Sequence, residues 1–504
     1  MLITDEVLLN YKRCSRRVFL NVYGDLSLRQ TEADFIQKLK RENQSHTADV
    51  LSKHFPDYSR LPPSNNWDEK AVATELFMSR GVDCIYDGLL KLTISAENNA
   101  ETIDLLANPT ILVKQEGNSR FGDWSYAPIN VHLGRRAKSE YKLLAAFAAK
   151  LLTEIQGTIP ASVRIILRQD KAANATRHNL PCQLDYHRVR LDIWRGKTQT
   201  TIDGCIEMLR QKSEPEVFIS RQKCNLCHWY DHCYNTARSQ QHLSLIPGVT
   251  PSRYDNLQSL GVTSLESLVN VSVTELGELT GQEIASKLQQ QARSLLENKP
   301  IWRQKEEGKF TRSIPTSNIE LYFDIEAEPD RNVDYLLGVV LVDRQQNIQH
   351  FFAFLAENPE DEALIWQNFL NLIETYSDAP IFHFSEYEAE TIQRLGRLYK
   401  TPSDRISAIL DRCFDLYEWT IDSVFFPVER YSLKYLANWL GFHWRLPGVS
   451  GDLCVCWYDY WLNTGDRAFL ESILTYNEDD CLATLHLKNW LCAFSFDRDI
   501  SVSK

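Results

Sequence analysis

Residues 319–330 read "IELYFDIEAEPD", and the fold of the C-terminal part of the chain turns on how this run is placed. Alternation puts Leu321, Phe323 and Ile325 on one face of a strand and Tyr322, Asp324 and Glu326 on the other. Two carboxylates side by side repel; at ~4 Å and an effective dielectric of ~20 the cost is about 4 kcal/mol. A half-buried strand tolerates this mainly when a cation sits between them. A D-x-E pair is common by itself, so its meaning depends on partners elsewhere.

The strands "YLLGVVLVD" (335–343) and "IQHFFAFLA" (348–356) follow at hairpin distance. A helical pattern, "EALIWQNFLNLIETY" (362–376), leads to a strand, "APIFHF" (379–384), and a second helix, "EAETIQRLGRLY" (388–399). The rest reads as helix up to "NEDDCLATLHLKNWLCAF" (477–494). A three-strand meander followed by strand–helix alternation predicts a layered α/β domain over 318–496. In "TYNEDDCLAT" (475–484), Tyr476 and Asp480 stand at i, i+4 and share one helical face. "IFHFSEYEAETI" (381–392) offers Glu388 after a strand, with Glu386 as competitor.

This set resembles the DEDD-type, DnaQ-like 3′–5′ exonucleases with an RNase H-like fold: a D-x-E strand, a second acidic motif after the fourth strand, and Y-x3-D on the last helix, in that order. The resemblance implies Asp324, Glu326, Glu388 and Asp480 as ligands of two Mg²⁺ or Mn²⁺ ions, with Tyr476 orienting the attacking water. The third acid of the family is usually Asp, whereas Glu388 stands here. Asp479 competes for the last position, and the Y-x3-D spacing favours Asp480. Asp415 in "CFDLYEW" and the run "YSLKYLANWLGF" also echo the family. Lys434 and Arg430 are candidate phosphate contacts, or simply part of a solvated helix face.

Cysteines carry the other signal. "CNLCHWYDHC" (224–233) supplies Cys224, Cys227 and Cys233, and "LLNYKRCSRRVFL" (8–20) supplies Cys14. Three thiols in ten residues converge on one metal centre, either with a fourth cysteine or as a zinc knuckle closed by His228 or His232. Cys84, Cys182, Cys205, Cys413, Cys454, Cys456, Cys481 and Cys492 share no ligand spacing and read as core or incidental. The two cysteine stretches together resemble the RecB-type, CRISPR-associated nucleases. That resemblance covers residues 1–235. It implies a restriction-endonuclease-like α/β domain whose Cys14, Cys224, Cys227 and Cys233 bind a [4Fe–4S] cluster, with Zn²⁺ as the alternative. Joined to the C-terminal part, the whole resembles a bacterial two-part nuclease family.

In the RecB-type enzymes one acid ends a strand and an acid-x-Lys pair lies on the next. The matching stretch, "LANPTILVKQEGNSRFGDWSYAPINVHLGRR" (106–136), has Thr110, Asn130 and His132 at those places. The Gln-x-x-x-Tyr motif of the next helix is replaced by Leu144 and Ala148. Asn130 lacks the charge to hold a hard cation, and His132 lacks lysine's permanent charge. Five vacated positions together indicate a PD-(D/E)XK-like domain that has lost its chemistry and serves as a nucleic-acid platform. Glu75, Asp104, Glu116 and Asp123 remain as acids able to rebuild a site.

Between these parts, residues 236–300 read as helical with glycine punctuation. "LIPGVTPSRYDNLQSLGVTSLESL" (245–268) resembles a helix-hairpin-helix element, whose backbone N–H groups near Gly248 would take a phosphate without reading sequence. "LGELTGQEIASKLQQQARSLL" (276–296) is its companion, with Gly281 at a helix start. Residues 301–317, charged and containing Pro315, read as a linker.

The net charge of −12 is uneven. Residues 318–504 hold 31 acids and 14 bases, while residues 1–317 hold 36 acids and 41 bases. A basic front and an acidic back suit a nucleic-acid platform joined to a metal–carboxylate enzyme. With 43% hydrophobic and 24% charged residues, and no apolar run of ~18 residues, the composition predicts a cytoplasmic globular protein. The expectation is an α/β multidomain exonuclease acting on single-stranded nucleic acid, DNA rather than RNA. The rivals are a non-catalytic nucleic-acid-binding protein and a nuclease with a rebuilt N-terminal site.

Overall fold

The computed structural model describes residues 1–95, 102–168, 186–220, 223–303 and 313–502. Cys182 and most of the segment expected as a linker lie outside them. The chain forms two compact units, Met1–Val217 with Arg221–Cys233, and Phe218–Ser220 with Tyr234–Lys504. No described helix is long and apolar enough to cross a membrane.

The first unit opens with β1 (Leu2–Thr4), α1 (Asp5–Arg13) and α2 (Ser15–Tyr23), joined at Cys14. Its main sheet has six strands: β2 (Ser59–Arg60), β3 (Cys84–Tyr86), β6 (Ile111–Ser119), β7 (Gly122–His132), β8 (Arg164–Leu167) and β9 (His187–Arg188), adjacent in that order. β1 pairs in a smaller sheet with β5 (Thr102–Ala107), which also pairs with β4 (Leu90–Ser95). The stretch "CIYDGLLKLTI" (84–94), whose apolar residues suggest a single strand, forms two strands in different sheets. Asp87 breaks the run with φ 58°, a left-handed turn conformation that short polar side chains tolerate.

β6 and β7 form an antiparallel hairpin, and β7 and β8 run parallel across α3 (Ser139–Gln156). Ten buried positions, including Leu144, Phe147 and Ala148, hold α3 against the sheet. Gly157, at φ 71°, ends the helix. α4 (Leu191–Gln211) adds Ile202, Cys205 and Leu209 to the same core. The unit closes with the start of α5 (Tyr230–Ser239).

In the second unit α6 (Pro251–Ser259), α7 (Leu265–Asn270), α8 (Val273–Thr280) and α9 (Gln282–Glu297) bury Leu257, Leu268, Leu276 and Leu288 together. These helices do not stand apart from the following domain. Gln291 Nε2 donates to Phe426 O at 2.7 Å and Ser294 Oγ to Phe425 O at 2.8 Å. The expected linker also begins as structure: β10 (Ile301–Trp302) pairs antiparallel with Val424–Phe425, and Trp302 stacks on Phe494.

The C-terminal domain is built on β11 (Ile319–Glu328), β12 (Val333–Asp343), β13 (Ile348–Leu355), β14 (Ile381–His383) and β15 (Cys413–Asp415). Their order is β13-β12-β11-β14-β15; the first three form an antiparallel meander and β11, β14 and β15 run parallel. Helices α10 (Glu362–Thr375), α11 (Glu386–Leu398), α12 (Leu416–Ser423), α13 (Leu433–Trp439), α14 (Gly451–Thr464) and α15 (Arg467–Val502) complete it. The predicted alternation is visible in the packing. Leu321, Phe323 and Ile325 join Ile365, Phe369 and Ile373 of α10. Tyr322, on the opposite face, joins Val340, Phe382 and, from α15, Cys481 and Leu485.

Candidate carboxylate site

Central strand β11 delivers Asp324 and Glu326 to the face that α15 covers. α15 crosses that face and delivers Asp480. Ligand oxygens of these three residues lie within 4.8 Å of one another, 156 positions apart in sequence at the extreme. Glu326 and Asp480 are buried and Asp324 is half-buried.

Opposite Asp324 in the β11–β12 register stands Gly338. A Cβ there would overlap the Asn477 side chain, so glycine is what lets α15 approach the sheet. Asn477 uses that proximity, donating Nδ2 to Asp324 Oδ2 at 2.7 Å. Trp444 Nε1 donates to Asp480 Oδ1 at 2.8 Å. Asn477 lies between Tyr476 and Asp480 in the chain, but a Y-x3-D spacing does not count it. Trp444 sits in a loop with no periodicity to mark it.

The electrostatics are those of crowded acids. Burial, then the charges of Asp480, Glu326 and Glu388, push Asp324 well above the usual carboxylate range. Burial, then Asp480, does the same to Glu326. Burial pushes Asp480 up to about 7 against the hydrogen bond from Trp444 and the charge of Lys434. Burial and the three carboxylates raise the Tyr476 phenol far above its ordinary value. Both effects oppose loss of the phenol proton, and the hydroxyl hydrogen-bonds to Asp480.

Glu388 is buried, whereas Glu386 is exposed. Glu388 stands outside the 4.8 Å group. Its Oε2 accepts from Ser385 Oγ at 3.0 Å and lies 3.6 Å from His383 Nδ1. Ser385 has φ 151°, a region that side-chain-bearing residues rarely enter, at the strand-to-helix turn that aims Glu388. Asp479 is drawn away: its carboxylate takes Arg445 Nε at 2.7 Å and the Arg445 backbone N–H at 2.8 Å. Asp415 caps α12 through the backbone N–H groups of Tyr417 and Glu418. Lys434 donates Nζ to Val449 O and stands 4.9 Å from the Tyr476 ring centroid, its pKa lowered by burial. Arg430 lies over the Tyr435 ring.

In the first unit, the cysteine stretches face each other. Cys14 and Cys227 both act electrostatically on Cys233, and Arg16 hydrogen-bonds to the Cys233 thiol. Burial raises the Cys227 thiol, while Arg17 and Arg29 pull it down. Cys227 and Cys233 pack on Phe19, Leu20 and Trp229. Gln30 N donates to His228 O at 2.8 Å and Trp229 Nε1 to Asn21 Oδ1 at 2.8 Å, tying the two ends of the unit. His228 is engaged elsewhere, its ring nitrogens at 2.9 Å from Asn21 Oδ1 and 3.5 Å from Arg17. Among the described residues no three cysteine sulfurs lie within 4.8 Å of one another.

Thr110, Asn130 and His132 take part in the packing of the first unit. Thr110 Oγ1 accepts from Val131 N at 3.0 Å. Asn130 is buried, and His132 stacks on Tyr141 with centroids 4.0 Å apart. Burial drives His132 down to about 4, so it is neutral at pH 7. Of the four acids expected to be able to rebuild a site, Glu75 pairs with Arg120 at 2.5 Å and Asp104 with Lys91 at 3.2 Å. Those acids form no 4.8 Å group among the described residues.

A family model described as RNase_H_2, of the RNase_H superfamily, matches residues 321–492. No curated protein and no solved structure matches the chain at a significant level. The C-terminal domain is RNase H-like. RNase H-like nucleases use divalent metals, and the carboxylate group of this domain is compatible with them.

Proposed function

We propose that this chain is a metal-dependent 3′–5′ exonuclease of single-stranded nucleic acid, DNA in preference to RNA, with its chemistry in the C-terminal domain. The observation that carries this reading is the convergence of Asp324, Glu326 and Asp480 within 4.8 Å, beside Glu388 and Tyr476. Asp324, Glu326, Glu388 and Asp480 are the residues that would hold two Mg²⁺ or Mn²⁺ ions. Such ions supply charge neutralisation at the phosphate and an acidified water.

The residues' own part follows from their surroundings. Tyr476, whose ionisation burial and the carboxylates oppose and whose hydroxyl hydrogen-bonds to Asp480, orients the attacking water. Asn477 and Trp444 fix the rotamers of Asp324 and Asp480, so the acids need not reorganise when substrate arrives. Lys434 places a positive charge near Asp480 and Glu326.

The first unit serves, in this reading, as a nucleic-acid platform. Cys14, Cys224, Cys227 and Cys233 are its ligands for a [4Fe–4S] cluster, and the nearby Arg16, Arg17 and Arg29 suit an anionic cluster. Hydrogen bonds to Asn21 and Arg17 occupy His228, one of the two histidines able to close a zinc knuckle; Zn²⁺ closed by His232 is the alternative. An anaerobic absorption spectrum of the purified protein distinguishes the two, since zinc gives no visible band.

Single strands labelled at the 3′ or the 5′ end, incubated with Mn²⁺, test the activity. Early release of the 3′ label with a shortening ladder on the 5′-labelled strand is expected. Asp324→Ala should abolish it and His132→Ala should not. Loss only in His132→Ala moves the chemistry to the first unit; no digestion by the wild type leaves a binding protein.

A further inference from the structure

The first unit contains a cleft that the carboxylate chemistry does not use. It encloses about 330 Å³ and is lined by Gln115, Ala161, Ser162, Arg164, Tyr186 and Arg188. That volume is at the lower end of the ~300–1,000 Å³ of small-ligand sites.

Its construction is costly without a ligand. Arg164 on β8 and Arg188 on β9 are direct partners in an antiparallel pair. Like charges in that position destabilise a sheet, and neither arginine has a carboxylate partner among the described residues. Arg164 spends its guanidinium on the Tyr186 ring, 4.4 Å from the centroid, and Arg188 donates to Ala161 O at 3.3 Å. Tyr186 is 43% exposed, so a large ring faces outward with an arginine beneath it. Gln115 donates Nε2 to Ser162 Oγ at 3.1 Å, and its buried Oε1 has no hydrogen-bond partner among the described residues.

Two cations, a flat aromatic surface and an unused carbonyl are the complement of one nucleotide. We propose that this cleft binds a segment of single-stranded nucleic acid. Arg164 and Arg188 take a backbone phosphate, Tyr186 stacks a base, and Gln115 Oε1 accepts from an exocyclic amine or ring N–H on that base. The assignment rests on the reading of the first unit as a nucleic-acid platform and gives that platform a place. Stacking accepts any base, so the cleft binds with little sequence preference.

Fluorescence anisotropy of labelled oligo-dT with the full-length protein in chelator tests this without hydrolysis. Arg164→Ala/Arg188→Ala should weaken binding roughly tenfold or more. It should also flatten the slope of log K against log[salt] by about 0.7 for each phosphate no longer neutralised. Tyr186→Ala should cost about fivefold to a hundredfold and Tyr186→Phe almost nothing. Arg195→Ala, an exposed arginine on α4 outside the cleft, controls for the removal of charge alone. Unchanged melting curves confirm that the variants fold.

Wild-type affinity and salt slope in the double variant overturn the cleft while leaving the platform intact. Failure of the wild type to bind any strand overturns both. Saturable binding of free dTMP that needs Arg164 and Arg188, with no strand binding, assigns the cleft to a mononucleotide and overturns the proposal.

Discussion

Asp324 is pressed by burial and by three neighbouring carboxylates, and the Asn477 amide that donates to it offsets only part of that pressure. Asp324→Asn removes a charge that burial and the neighbouring carboxylates disfavour in the metal-free fold. In chelator at pH 7.5 this variant should therefore melt higher than the wild type. Its nuclease activity should fall on the order of 10³-fold, as when several kcal/mol of charge stabilisation are removed. A lower melting temperature in chelator would mean that Asp324 is a structural residue. His132 presents the opposite case. Its folded pKa, near 4, lies below the ordinary histidine value, so between about 4 and 6.5 the unfolded chain binds the proton that the folded one refuses. Stability from this residue is present above pH 6.5 and is lost on acidification. His132→Phe keeps a ring on Tyr141 and removes the titration. Its melting temperature should decline less than the wild type's between pH 7 and pH 5.

At the scale of elements, the site depends on how closely α15 lies on the sheet. Gly338→Ala places a methyl group where Asn477 packs, and the helix must move or the amide must turn. We expect a loss of about 1–3 kcal/mol in denaturant titrations. Activity should drop more steeply than stability, because the same Asn477 side chain orients Asp324. β11 and α15 are legible in the sequence because each repeats locally, one with period two and the other with its i, i+4 pair. Gly338, Trp444 and Asn477 are not legible as parts of the site, since their roles come from packing across the sheet. The same limit applies to β10: two residues have no period, and only their pairing with Val424–Phe425 makes them a strand. Residues 84–94 differ: the Asp87-Gly88 pair is a turn signal in the sequence, and the apolar residues on either side mask it.

Over the whole molecule, each compact unit has its own fastening. In the first, the cysteine stretches and the Gln30–His228 and Asn21–Trp229 hydrogen bonds hold residues 14–30 to residues 228–231. Cys227→Ser should lower the unfolding transition of this unit and leave the other in place. Scanning calorimetry, with visible absorbance followed in parallel, reads both effects. A protein of two units need not melt as one, and a single shifted transition would show them to be coupled. In the second unit, Lys488 Nζ reaches Glu320 Oε1 at 2.5 Å with both side chains buried, and Arg344 and Tyr322 complete the cluster. Lys488→Met leaves Glu320 held by Arg344 and Tyr322 alone, and loss of this charged hydrogen bond costs about 1.5–3 kcal/mol. Urea unfolding monitored by tryptophan fluorescence measures it.

Helix α15 is thus stapled to strand β11 twice, at Asn477–Asp324 and at Lys488–Glu320, with helix and strand running in opposite directions. Eleven positions separate the helical staples, three turns within about 20°, and four separate those on the strand. A single inserted residue between 477 and 488 would swing one staple by about 100° relative to the other. This window should consequently be intolerant of insertions and deletions of any length that shifts the helical phase, however neutral the inserted residue.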